Sequence, residues 1–157
     1  MPKEIERKFL VQKDPAWTSL PGTKYRQGYL NTTKERIVRV RTIGDQGYLT
    51  VKGLTVGATR LEFEYEIPLA DADTMLDDLC ERPLIEKRRY KVEHNDLTWE
   101  IDEFFGENDG LIVAEVELES EEQSFQKPPW IGEEVTGDPR YFNSNLVQHP
   151  YTAWETK

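Results

Sequence analysis

Charged side chains recur two positions apart along this chain, in the sets Glu4-Glu6-Lys8, Arg39-Arg41, Arg60-Glu62-Glu64, Lys87-Arg89 and Glu115-Glu117-Glu119. Successive side chains of a strand point to opposite sides of a sheet, so each set shares one face. Arg and Lys residues converging from several strands supply forked and point-charge donors for a polyanion. The basic residues available are Lys8, Arg39, Arg41, Lys52, Arg60, Lys87 and Arg89. Carboxylates beside them are hard oxygen ligands of the kind that hold Mg²⁺ or Mn²⁺ between protein and substrate phosphates. Glu4, Glu6, Asp102, Glu115 and Glu117 are the candidate metal ligands. Phosphoryl transfer needs positioning and charge neutralisation more than covalent chemistry, so a basic cradle with one or two metal ions suffices for it.

Other site types find little support. The chain has no GxxxxGK[ST] loop, no GxGxxG after a strand and no HExxH. Its two histidines, His94 and His149, fall in expected turn or tail positions. Paired carboxylates also serve glycoside hydrolysis, but the surrounding Arg and Lys would then be superfluous. For any single strand, charges facing water are the commoner arrangement. For the whole set that reading weakens, because surface ion pairs contribute only about 0–1 kcal/mol each.

The elements that must position these residues are strands. Period-two alternation recurs between turn signals such as Pro21-Gly22, Gly44-Asp45, Asn95-Asp96 and Asn108-Asp109-Gly110. It predicts strands near 3–11, 25–30, 36–43, 47–53, 59–68, 86–94, 97–104 and 111–119. Opposite the charges lie Ile5, Phe9, Val38, Val40, Leu61, Phe63, Tyr65, Ile101, Ala114, Val116 and Leu118. Like charges two apart on one face repel, so basic and acidic strands are expected to face each other. Closing about eight strands into a barrel encloses a lumen wide enough for side chains and one small ligand. An amphipathic helix is predicted from Asp71 to Arg82, capped by Asp71 and stopped by Pro83. A short helix is expected over Ser120 to Phe125, another turn around Tyr141 to Val147, and a mobile tail after His149.

Composition narrows the class. Of the 157 residues, 32% are charged, yet 4 Trp, 7 Tyr and 6 Phe distributed in alternation argue for a folded chain rather than a disordered one. That length suits one domain, expected to span residues 1–157. A net charge of −10 argues against a general nucleic-acid binder. The single cysteine, Cys80, excludes an internal disulfide and is read as helix packing. With no signal-peptide core and no membrane-length apolar run, a cytoplasmic protein without a membrane partner is expected. The four tryptophans are read as packing, and Glu66, Glu119 and the pairs Glu121-Glu122 and Glu133-Glu134 as solvated.

The sequence resembles the CYTH family, also called triphosphate tunnel metalloenzymes. The opening Glu4-Ile5-Glu6-Arg7-Lys8 matches the family's ExExK signature. The likeness continues in order through Arg26-Gln27-Gly28-Tyr29-Leu30, Arg39-Val40-Arg41, Thr50-Val51-Lys52, Glu62-Phe63-Glu64, Glu86-Lys87-Arg88-Arg89-Tyr90, Glu100-Ile101-Asp102 and Glu115-Val116-Glu117 to Trp130-Ile131-Gly132 and Tyr141. The resemblance implies an eight-stranded antiparallel closed β-barrel, a few peripheral helices and a C-terminal plug helix near Tyr141 to Leu146. It implies phosphate-gripping roles for Lys8, Arg39, Arg41, Lys52, Arg60, Lys87 and Arg89, and metal-ligand roles for Glu4, Glu6, Glu115 and Glu117. Glu62, Glu64 and Asp102 join the metal set as ligands or supports, and Lys87 with Tyr29 are the catalytic candidates for water activation. The expected activity is metal-dependent hydrolysis of inorganic tripolyphosphate to phosphate and pyrophosphate. A thiamine-triphosphatase, a class IV adenylyl cyclase and a non-catalytic polyphosphate-binding module stay open as alternatives, as does a homodimer formed through the outer barrel face.

Overall fold

The period-two segments form strands in a computed structural model that describes residues 3–155. In chain order these are β1 (Lys3–Val11), β2 (Thr23–Asn31), β3 (Arg36–Ile43), β4 (Gln46–Gly53), β5 (Thr59–Ile67), β6 (Ile85–His94), β7 (Leu97–Phe104), β8 (Ile112–Glu117) and β9 (Ile131–Glu134). Hydrogen bonding runs β5-β4-β3-β2-β6-β7-β8-β1, and β1 returns to β5, so eight antiparallel strands close into a barrel. Tight turns set these registers. Asn95 and Asp96, at φ 51° and 66°, form the two-residue connection between β6 and β7, where a left-handed backbone matches the strand twist.

The seam of the barrel is β1. Its first residues, Lys3 to Ile5, pair with β5, whereas Phe9 and Val11 pair with β9 on the same edge. Between them the Glu6 amide donates to Ala58 O at 3.1 Å and the Lys8 amide to Thr136 Oγ1 at 2.8 Å. The small strand β9 was not foreseen, because its four residues give too short an alternation.

A charged lumen puts the apolar side of each strand outside, where other segments must cover it. Trp17, from the short helix α1 (Pro15–Thr18), joins Phe9, Trp99, Trp130 and partly buried Phe125 over β1, β7 and β8. Phe9 and Trp99 lie 5.6 Å apart and Trp99 and Phe125 5.8 Å, in tilted or edge-on geometry. Helix α2 (Leu69–Asp78) lays Ala72 and Leu76 against Val40, with Cys80 buried beside them. The outer faces of Val51, Leu61, Phe63 and Tyr65 on β4 and β5 stay exposed.

Several boundaries differ from the sequence-based expectation. Helix α2 begins after Pro68 and not at Asp71, which sits in its first turn, and it stops at Asp78 before Cys80. Residues 120–125 form a turn, with Gln123 Oε1 accepting from the Glu119 amide, so the expected helix is absent. The tail after His149 is packed through its described residues, 150–155, the last two residues lying outside them: Trp154 is 6% exposed and meets Tyr141 at 5.2 Å and Tyr151 at 5.0 Å. Glu121 accepts from the Ala58 amide and Thr59, and Glu134 pairs with Arg7, so neither is simply solvated. Helix α3 (Asn143–Gln148) closes one end of the barrel, with Leu146 and Val147 buried against Ile37, Ile85 and Phe104. Among the described residues no helix is long and apolar enough to cross a membrane.

Candidate active site

The lumen is a cavity of about 380 Å³, walled by inward residues of all eight barrel strands and by Phe142, Asn143 and Ser144 at the start of α3. Lys8, Arg39, Arg41, Lys52, Arg60, Lys87 and Arg89 all reach it, as do Glu4, Glu6, Glu62, Glu64, Glu115, Glu117 and Tyr29. Asp102 does not line it. Lys91 and Glu100 do, and the i, i+2 rule extended along β6 and β7 would have found both.

Strand register decides which charges meet. Glu4 lies opposite Arg60, Lys52 opposite Glu62 and Lys8 opposite Glu115. The side chains follow: Lys52 Nζ stands 3.4 Å from Glu4 and 3.1 Å from Glu62, Arg60 Nε 3.3 Å from Glu4, and Lys8 Nζ 3.6 Å from Glu115. Arg41 reaches Glu64 at 3.1 Å. The basic wall keeps unused donors. Arg39 is 7% exposed, and the buried Nε groups of Arg39 and Arg41 have no acceptor among the described residues. A buried charged donor without a partner costs free energy that an anion in the lumen would recover. Tyr25 holds this wall in place, its ring facing Arg89 at 4.8 Å and Arg41 at 5.3 Å.

On the opposite wall, like charges meet. Glu6 pairs across the ladder with Glu117, and Glu115 with Glu100. Directly opposed like charges destabilise a sheet unless a counter-charge lies between them. Burial, followed by Glu115 and Glu4, pushes the Glu6 carboxyl well above its usual range, and burial, followed by Glu4, Glu62 and Glu100, raises Glu117. Burial raises Glu115 as well, but Lys8, a hydrogen bond from Glu6 and Arg89 outweigh it and hold Glu115 well below the ordinary value. Burial is likewise outweighed at Glu4, which Lys52 and Arg60 keep low. Among the described residues no three His, Cys, Asp or Glu side chains form a preformed metal cage. Mg²⁺ does not need one, since it keeps waters and takes one or two carboxylates plus substrate phosphates. The oxygen-only, mutually repelling set Glu4, Glu6, Glu115 and Glu117 therefore fits a divalent cation delivered with its phosphates.

Asp102 has another arrangement. It is 2% exposed, its Oδ1 accepts from Arg89 Nε at 2.7 Å, and its Oδ2 accepts from Arg89 Nη2 at 2.8 Å and Lys87 Nζ at 2.7 Å. Burial raises its pKa, but Arg89 and Lys87 prevail and draw it down to about 2. Burial also dominates at Lys87, pulling the ammonium down to about 7 in spite of Asp102. Lys87 is thus a fully enclosed amine close to neutrality. Tyr29 is buried too, which raises its phenol although Arg39, Arg60 and Arg41 lie near. No direct hydrogen bond joins Tyr29 to Lys87; Gln27 and Asn143 stand between them. These two amides were missed, because neither lies in a charged i, i+2 set.

Comparison with known proteins agrees with this geometry. The chain is 57% identical over 151 residues to a protein of Acetivibrio thermocellus named inorganic triphosphatase, covering 96% of this chain and 97% of that one. It is 41% identical over 148 residues to a protein of the same name from Nitrosomonas europaea, covering 92% and 96%. A crystal structure of an inorganic triphosphatase superposes with a TM-score of 0.65 at 36% identity, over 92% of this chain and 93% of that one. A Pyrococcus furiosus protein, at 20% identity and TM-score 0.58 over 76% and 80%, shares the fold. The CYTH domain model matches residues 2–151, so the barrel with its opposed basic and acidic walls belongs to the CYTH family.

Proposed function

We propose that this protein hydrolyses inorganic tripolyphosphate to phosphate and pyrophosphate inside its barrel, with Mg²⁺ or Mn²⁺. The observation that carries this reading is the unpaired Nε donors of Arg39 and Arg41, facing the repelling carboxylates Glu6 and Glu117 across one closed lumen. A polyanion answers the first wall and a cation the second. The relatives named inorganic triphosphatase, which match nearly the whole chain, support the choice of substrate.

In this reading Arg39, Arg41, Lys52, Arg60, Lys8 and Arg89 grip the phosphate chain, Arg with forked and Lys with single donors. Glu4, Glu6, Glu115 and Glu117 would hold the metal, with Glu62 and Glu64 orienting Lys52 and Arg41. When bound, the ion would neutralise charge on the phosphate oxygens. Lys87, near-neutral at about 7, takes the proton from the attacking water, and Tyr29 supports the water from the lumen wall. Asp102 leaves the metal set, because its oxygens are occupied by Arg89 and Lys87. We place the protein in the cytoplasm, which suits the one unpaired cysteine.

The test is phosphate release from tripolyphosphate, ATP, thiamine triphosphate and pyrophosphate, each with Mg²⁺, Mn²⁺ or a chelator. Metal-dependent release that is fastest with tripolyphosphate is expected. Preferential turnover of the thiamine compound, conversion of ATP to a cyclic nucleotide, or binding without hydrolysis would replace the reading with the corresponding alternative.

A further inference from the structure

Asn143, the first residue of α3, is held between two lumen-facing strands. Its Oδ1 accepts from Lys87 Nζ on β6 at 3.2 Å and from Gln27 Nε2 on β2 at 3.0 Å. In its ammonium form Lys87 can only donate, so the atom of Asn143 that accepts from it is the oxygen. Gln27, completely buried, must then present its amide nitrogen to that same oxygen, which leaves its own Oε1 without a partner. The orientation of both amides therefore follows from Lys87. The unsatisfied Gln27 oxygen marks an arrangement kept for something other than stability.

The amine nitrogen of Lys87 has three tetrahedral positions besides its bond to Cε. One N–H goes to Asp102 at 2.7 Å and a second to Asn143. Only the third is left for the lumen, and in the neutral amine that position is the lone pair. We propose that Asn143 is a positioning residue that, with Asp102, aims the Lys87 lone pair at the attacking water, and that Gln27 locks Asn143 in that orientation. This places the start of the closing helix in direct control of the base. It rests on the reading of Lys87 as the base.

The experiment is a double-mutant cycle between Asn143 and Lys87, read as steady-state kcat and KM with tripolyphosphate and saturating metal. Asn143→Leu, similar in size but without an acceptor, is expected to lower kcat at least tenfold and to change KM less than twofold. Asn143→Ala gives the same reading if leucine disturbs folding, and thermal melting of each variant reports whether the fold is intact. In a Lys87→Met background, Asn143→Leu is expected to change kcat less than twofold, because its partner is gone. The proposal is overturned if Asn143→Leu keeps wild-type kcat, if it raises KM alone, or if it costs as much without Lys87 as with it. Wild-type kcat in Lys87→Met alone would instead remove the underlying assignment of the base, an outcome visible without touching Asn143.

Discussion

Replacing Asp102 by Asn separates two roles that one carboxylate could fill. The side chain keeps its shape but loses its charge, leaving Arg89 and Lys87 facing a neutral amide in a site that is 2% exposed at Asp102. Breaking a buried ion pair by removing one partner costs about 3–5 kcal/mol. Two features place this case near the lower bound: Arg89 keeps Glu100 at 3.3 Å, and Lys87 can shed its proton. Linkage points to the same size. A folded pKa drawn from 3.8 to about 2 corresponds to roughly 2–3 kcal/mol at neutral pH. The expected loss of about 3 kcal/mol lowers the melting midpoint by about 6–12 °C in a chain of this size. Because the folded pKa is depressed, this stabilisation is complete above the ordinary value of 3.8 and fades as pH falls toward about 2. Urea denaturation at pH 7 and at pH 3 measures it, and the gap between wild type and Asp102→Asn should narrow at the lower pH. The metal concentration for half-maximal activity should stay within a factor of about three, on the order of 0.6 kcal/mol. A variant within about 1 kcal/mol of wild-type stability but needing far more metal would refute this and return Asp102 to the ligand set.

Glu6→Gln should do the reverse. Ionised Glu6 opposes folding at neutral pH, since its folded carboxyl holds its proton more tightly than the unfolded chain does, so the metal-free variant melts higher than wild type. Its half-saturating metal concentration rises at least tenfold, about 1.4 kcal/mol of lost binding; unchanged metal dependence would exclude Glu6 as a ligand. The rate constant kcat/KM should climb as pH rises through about 7, as Lys87 becomes a neutral amine in the free enzyme, and Lys87→Met should lose that limb. A pH profile that keeps the limb in Lys87→Met assigns it to another group. Trp154→Ala removes the ring packed edge-on against Tyr141 and Tyr151 and should cost about 3 kcal/mol in urea denaturation; wild-type stability would mean that the tail contributes nothing to the closed end.

The barrel and its charged lining were legible in the sequence because strand parity is a local rule. Glu4-Glu6-Lys8 and Arg39-Arg41 announce one face wherever the strands end up. The pairing of Glu6 with Glu117 and of Glu115 with Glu100 was not legible, since it depends on register across strands distant in the chain. Asp102 was grouped with the metal ligands because parity gives the face but not the partner, and two cations on β6 reach it first. Gln27 and Asn143 carry no charge and so no pattern, and their meeting depends on how α3 seats in the barrel mouth. Outside the lumen, the short helix expected at 120–125 failed because Glu-rich composition was read as a first turn, whereas Gln123 caps the backbone of Glu119 instead. The packed tail follows from one residue, Trp154, whose ring finds an aromatic partner in Tyr141 only once α3 is in place.

The most direct measurement is tripolyphosphate turnover in heavy-oxygen water with Mg²⁺, followed by phosphorus NMR and mass spectrometry of both products. Attack of water on a terminal phosphorus, activated by Lys87, predicts equal release of phosphate and pyrophosphate, with the label in phosphate alone and no turnover in chelator. Label in pyrophosphate, or hydrolysis that continues without a divalent cation, would contradict the account.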